Sequence, residues 1–191
     1  MLLQNRGSRI GDRGSGIRSQ ILPVKSVGVQ GDGRTYRHAI ALFSENLYAV
    51  TEEMWKLATE IPNTLPEINR VLTCLSHVEP PEFVFSPGAI TRERADLLRE
   101  ADTIVMEEIK AANLYERVWQ FPVVLLPFGT SEGGQSIVLR PIESTDAMTA
   151  NAAVLPEEIL QKMTKRILAL PGIDLVFYDL TSKPPGTIEW E

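Results

Sequence analysis

Cysteine and histidine are almost missing from this chain of 191 residues, which has one cysteine, Cys74, and two histidines, His38 and His77. An internal disulfide framework and a multi-cysteine zinc or iron–sulfur site are therefore excluded, and a histidine-rich metal site has little to draw on. Long apolar runs are missing too. No stretch reaches the roughly 20 uninterrupted apolar residues of a membrane-spanning helix, and residues 1–20 lack the apolar centre of a secretory signal. The expectation is a protein of the reducing cytoplasm with no membrane partner. There is no G-x-x-x-x-G-K-[ST] phosphate loop, no glycine-flanked serine or cysteine elbow and no H-E-x-x-H, so the common routes to phosphate cradling, acyl transfer and zinc hydrolysis are absent. Positive charge is in short supply, with 19 Lys and Arg against 25 Asp and Glu for a net charge of −6. Four arginines and one aspartate fall in residues 1–20, which leaves 15 basic and 24 acidic side chains, a balance of −9, in the rest. A nucleic-acid backbone is not an expected partner.

What is present, 43% hydrophobic and 23% charged residues, is the balance of a folded soluble chain. Residues 1–20 are rich in glycine, serine and arginine without apolar periodicity, and they read as a flexible tail, with folded structure beginning near Ile21. From there the chain reads as two passes through one pattern. In the first, the β-rich runs ILPVKSVGV and YRHAIALF flank Asp32-Gly33, a hairpin signal. A helix follows, with Thr51 as N-cap and Met54, Trp55, Ala58 and Ile61 at helical spacing; prolines at 62 and 66 break it before an apolar run over residues 68–75. In the second, FPVVLLPF and SIVLRPIES are paired strands around a Gly/Ser-rich loop, residues 129–134. A helix follows from Pro156 in its first turn to Gly172 as C-cap, with a last strand over residues 173–180. Between the passes, a helix over residues 91–113 buries Ala95, Leu98, Ala101, Val105, Ile109 and Ala112. The expected fold class is α+β: two β-β-α-β repeats, residues 21–78 and 118–191, joined by a bridging helix within residues 79–117.

Little in this pattern suggests a nucleophile. Cys74 lies inside an apolar strand with nothing beside it to lower its pKa and reads as a structural thiol; His77 reads as a surface or satisfied histidine and His38 as sheet-face packing. Two segments carry more chemistry. The loop VGVQGDGRTY combines glycines that let backbone N–H groups approach an anion, Arg34 to grip a phosphate, the Thr35 hydroxyl and the Asp32 carboxylate. That set suits a phosphorylated, hydroxyl-bearing ligand; a plain hairpin turn with a solvated Arg34 is the alternative. The closing TSKPPGTIEWE ends in a rigid Pro-Pro, a glycine, and Ile188 and Trp190, which need burial. There Lys183 offers a cation and Glu189 an acceptor for purine or amide N–H groups, unless the segment merely covers an edge of the core.

These two segments, with the D-A-M-T-A motif at residues 146–150, closely resemble the C-terminal domain of the GMP synthases, glutamine-hydrolysing ligases that aminate XMP. The likeness covers residues 21–191, and its spacing resembles the long form known from animal enzymes, in which the dimerisation unit is duplicated. The resemblance implies a domain that binds XMP and forms a homodimer. In the full enzyme an ATP-pyrophosphatase domain, using ATP and Mg, adenylates the base, and a glutaminase domain supplies ammonia. Matched by motif, the XMP-binding positions are Asp32, Gln120 in the W-Q-x-P segment, Lys183 and Glu189; Arg34 is added from phosphate chemistry alone. The S-G-G-V-D-S loop and the Cys-His-Glu set of the other two domains are absent from these 191 residues, so this chain alone is not expected to make GMP and needs no cofactor of its own. The alternative is an inert dimerisation module that no longer binds nucleotide.

Overall fold

The computed structural model describes residues 16–30, 33–86, 88–145 and 148–191. The first strands are β1 (Arg18–Gln30) and β2 (Gly33–Phe43). They pair antiparallel from Arg18↔Phe43 to Gln30↔Gly33, with one irregularity between Ile21 and Lys25. Pro23 lies in that interval and has no N–H to give to a ladder. Order therefore starts earlier than the sequence suggests. Ile17 is buried, and Arg18, Ser19 and Gln20 are strand residues paired with Phe43, Leu42 and Ala41. The far end of β2 needs them as its antiparallel partner, so the expected boundary at residue 21 moves back; residues 1–15 lie outside the described residues.

Helix α1 (Glu52–Thr64) starts at Thr51, whose Oγ1 accepts the Met54 N–H at 3.3 Å. The expected break at Pro62 comes three residues later. A proline in the last turn gives up only its own N–H bond, and the Leu65 N–H still closes on the Ile61 carbonyl at 2.8 Å. All seven residues of β3 (Ile68–Cys74) are buried, as befits a strand covered on both faces. After the short β4 (Val84–Phe85) comes α2 (Arg92–Ala111), capped by Thr91 and ended at Asn113, whose φ of 55° is left-handed. A 3-10 turn, Tyr115–Arg117, leads to β5 (Val123–Leu126) and β6 (Phe128–Gly129). The sequence reads these two as one strand, but Pro127 separates them and β6 turns away to pair with β4. Next are β7 (Gln135–Leu139), β8 (Ile142–Glu143), β9 (Asn151–Ala152), α3 (Glu157–Leu168) and β10 (Ile173–Asp179). Pro156 stands at the N-cap of α3 rather than inside it. The helix ends at Ala169, while Gly172, at φ 82°, serves the turn into β10 rather than the helix cap.

The chain is mixed α+β, with three α-helices among the described residues and one six-stranded sheet in the order β1-β2-β3-β10-β7-β5. Strands β2 and β3 are parallel, as are β7 and β10, and each parallel pair is crossed by one helix, α1 or α3. The central neighbours β3 and β10 run antiparallel, with Phe177, Tyr178 and Asp179 opposite Cys74, Thr73 and Leu72. The helices cover one face, where Met54, Ile61, Val105, Ile109, Leu160 and Met163 join Val71 and Val176. On the other face Leu72, Cys74, Val138, Leu175 and Phe177 form a second core that Trp190 completes. The sheet curls so far that Lys25 and Tyr36, near one end, line the same cavity as residues of β5 at the other. No helix of the described residues is long and apolar enough to cross a membrane.

Candidate functional site

The closing segment leaves β10 and lies back across the second face of the sheet. Lys183 forms a backbone bridge with Ala150, giving its N–H to the Ala150 carbonyl at 2.7 Å and accepting the Ala150 N–H at 3.2 Å. The peptide bonds Lys183–Pro184 and Pro184–Pro185 are cis. The segment then joins β1: the Val29 N–H donates to the Pro185 carbonyl at 2.7 Å, Gly28 bridges Gly186, and the Val27 N–H donates to the Trp190 carbonyl at 2.8 Å. Only glycine fits at position 28. A Cβ there would stand 2.7 Å from the Pro185 carbonyl oxygen and 2.8 Å from Asn69 Nδ2.

Beneath this segment lie three charged side chains with no exposed surface. Asp179 Oδ2 receives Arg70 Nη1 at 3.0 Å and Arg140 Nη1 at 2.8 Å, and each of the three side chains is 0% exposed. Alternation along the strands brings them to the second face, since Arg70 shares a side with Leu72 and Cys74, and Asp179 with Leu175 and Phe177. The Arg70 Nε donates to Ser26 Oγ at 2.8 Å, and Arg140 Nη1 donates to the Thr181 carbonyl at 3.1 Å. Burial lowers the Arg70 guanidinium to about 10 against the pull of Asp179, and it lowers Arg140 as well. Burial works to raise the Asp179 carboxyl, but Arg140, Arg70 and the Thr181 N–H together hold it below its ordinary value.

The candidate residues are distributed around this frame. Asp32 lies outside the described residues. Arg34 is exposed on β2 opposite Val29, the residue whose N–H holds Pro185. Gln120 is exposed and bonds through its backbone to Ile142, which pairs in turn with Ala152; two residues earlier, Ala150 meets Lys183. Short backbone ladders thus connect Gln120 to Lys183. Glu189 is exposed as well and faces elsewhere: with Lys25, Tyr36, Arg94 and Trp190 it lines a cavity of about 670 Å3. The neighbours of Lys183, Ser182 and Pro184, line a different cavity of about 650 Å3 together with Gln30, Arg37, Trp55 and Asn63. Backbone contacts link the hairpin stem to Lys183 and Gln120, while Glu189 lines the cavity on the Lys25 and Tyr36 side of that stem.

Cys74 is buried and its thiol is pushed up by burial, with Ser76 Oγ at 3.5 Å. His38 is half-buried in β2, and its Nδ1 has no hydrogen-bond partner among the described residues. His77 is half-buried beside Ser76, and burial lowers its pKa. The sequence reading passed over Arg70, Arg140 and Asp179. The available signal was a charge of one or the other sign set inside each of three otherwise apolar runs, INRVLTC, SIVLRP and LVFYDL.

Comparison with known proteins supplies the class. Residues 107–190 match the family described as GMP synthase C terminal domain. A probable glutamine-hydrolyzing GMP synthase from Leptospira interrogans strain Fiocruz L1-130 is 43% identical over 178 residues, covering 92% of this chain and 29% of that protein. The GMP synthase of Streptomyces coelicolor is 51% identical over 113 residues and that of Chlorobium luteolum 48% over 112, each match covering 54% of this chain and 22% of the relative. An α+β domain of the GMP synthase C-terminal kind is the class these matches define. This chain belongs to the family of GMP synthase C-terminal domains, and it spans about 29% of the length of the Leptospira relative.

Proposed function

We propose that this chain is the XMP-binding C-terminal domain of a GMP synthase, serving GMP biosynthesis in the cytoplasm together with ATP-pyrophosphatase and glutaminase domains. The observation that carries this reading is the junction of the closing segment with the hairpin stem: Val29 to Pro185 and Gly28 to Gly186 tie the Lys183 segment to the strand leading into Asp32 and Arg34. A nucleoside monophosphate carries close to two negative charges. Lys183 and Arg34 meet that charge in this reading, while Asp32, Glu189 and Gln120 serve the sugar and the base. ATP and Mg act in the partner domains.

The strand order supports reading residues 17–191 as two β-β-α-β units. Each unit contributes a hairpin, a helix and a third strand, and the third strands β3 and β10 meet antiparallel at the centre. The family match over residues 107–190 alone, beside a relative matched along 92% of the chain, fits a long form with an added first unit. A second copy of the chain is the other partner proposed, and sedimentation velocity reads it directly, a monomer at all concentrations removing it.

Calorimetric titration of XMP into the 191-residue chain, alone and with a pyrophosphatase-containing partner, tests the nucleotide site. Binding lost in Lys183→Ala and in Glu189→Gln supports it; no binding that depends on either residue in either setting defeats it.

A further inference from the structure

We infer that Arg70 and Arg140 are positioning residues that hold the closing segment in place by its backbone carbonyls. The inference rests on the nucleotide reading above only in what the held segment is for. Two guanidiniums share one carboxylate, so the buried cluster keeps one positive charge in excess, and a buried charge is costly unless hydrogen bonds surround it. The closing segment provides them. Arg140 Nη2 donates to the Thr187 carbonyl at 2.7 Å and Arg140 Nε to the Ile188 carbonyl at 2.8 Å. Arg70 Nη2 donates to the Glu189 carbonyl at 2.6 Å, the Thr187 carbonyl at 3.1 Å and Thr187 Oγ1 at 3.0 Å.

Three consecutive carbonyls, at residues 187, 188 and 189, therefore converge on the same two cations. In an extended strand successive carbonyls point to opposite sides, so this convergence belongs to the cations and not to sheet pairing. Trp190 closes the arrangement, with its ring centroid 4.9 Å from Arg70 Cζ and its Nε1 donating to Asp179 at 3.2 Å. With no exposed surface, the two arginines act on the segment and leave ligand contact to Lys183 and Glu189. A lysine in either place keeps the charge but loses the planar fork that serves several acceptors at once.

The test is residue-resolved hydrogen exchange on the whole 191-residue chain, in wild type and in Arg70→Lys, Arg140→Lys and Lys183→Ala, with XMP titrations alongside. Either arginine variant is expected to speed exchange of the amides at residues 186–190 by about tenfold or more while β3 and β10 stay protected, the scale of one charge-assisted hydrogen bond. Lys183→Ala should leave that protection unchanged. Wild-type exchange of the closing segment in a folded arginine variant overturns the inference. Should both arginine variants fail to fold, the wild-type guanidinium is read directly, through the NMR coupling across the hydrogen bond from Arg140 Nε–H to the Ile188 carbonyl, 2.8 Å long. A resolved coupling with slow exchange of that N–H supports the inference, and an uncoupled, freely exchanging N–H overturns it. XMP affinity that stays at the wild-type level in a variant whose segment has loosened removes the link to the nucleotide. A wild-type chain that binds no XMP yet shows arginine-dependent protection removes the nucleotide reading and leaves the positioning role standing.

Discussion

Gly28 in β1 and Pro185 in the closing segment approach so closely that a single added methyl would stand 2.7 Å from the proline's carbonyl oxygen. The opposing atom belongs to a backbone held by its own bond from the Val29 N–H, so it cannot turn away as a flexible side chain can. Gly28→Ala is therefore expected to lower stability by about 1–3 kcal/mol, the usual cost of overpacking, and to loosen residues 185–190 first. Urea unfolding gives the total and hydrogen exchange the location; an unchanged closing segment would count against this account of the glycine.

Asp179 is the only carboxylate bonded to Arg70 and Arg140 among the described residues. Asp179→Asn leaves two buried guanidiniums without a bonded counter-charge, Glu189 acting on them only from a distance, and the expected loss is about 3–5 kcal/mol, as for other broken buried pairs. The pH dependence has a definite sign. The folded carboxyl is held below its ordinary value of 3.8, so its contribution is complete above that pH and is lost as pH falls toward the folded value. Acid unfolding of the wild type, set against the Asn variant, measures that component.

Asp174 at the start of β10 organises the Gly/Ser-rich loop. Its Oδ2 accepts the N–H groups of Thr130 and Ser131, each at 2.8 Å, and the Ser131 hydroxyl at 2.7 Å. Burial works to raise this carboxyl, and the bonds from Ser131 and Thr130 bring it below its ordinary value. Asp174→Asn should cost about 1–2 kcal/mol, less than the buried cluster because the site is partly open to water. The loss should vanish below the carboxyl range, where the wild-type group is protonated too. Melting temperatures followed from pH 7 down to pH 2 for both proteins give the comparison.

The Cys74 thiol is buried in the second core and pushed up by that burial. Alkylation by iodoacetamide at pH 7.5 is expected to be slow in the native chain and to reach one equivalent in denaturant. Rapid native labelling would show that the β3–β10 region opens readily.

Much of the fold follows from patterns within a few residues of one another. The threonines at 51 and 91 cap α1 and α2 as expected, because an N-cap needs only its own side chain and an amide three residues on. The stripe of Ala101, Val105 and Ile109 marks the buried face of α2 for the same local reason. Pro127 is where local reading falls short. The run on either side of it has one β-rich composition, but β5 pairs with β7 while β6 pairs with β4, and nothing near Pro127 specifies either partner.

The candidate site divides in the same way. The chemistry of Lys183, Glu189, Gln120 and Arg34 is legible from residue type and motif, whereas their separation onto different surfaces is not. By itself the amino-acid sequence determined the helices and most strands, the apolar faces, and the need of Ile188 and Trp190 for cover, since each depends on periodicity or composition over short spans. Tertiary structure alone decided that Arg70, Arg140 and Asp179 would meet. Arg70 and Asp179 are 109 residues apart, and they come together only because the sheet sets β3 beside β10 and the last five residues fold back over the charge they leave unbalanced.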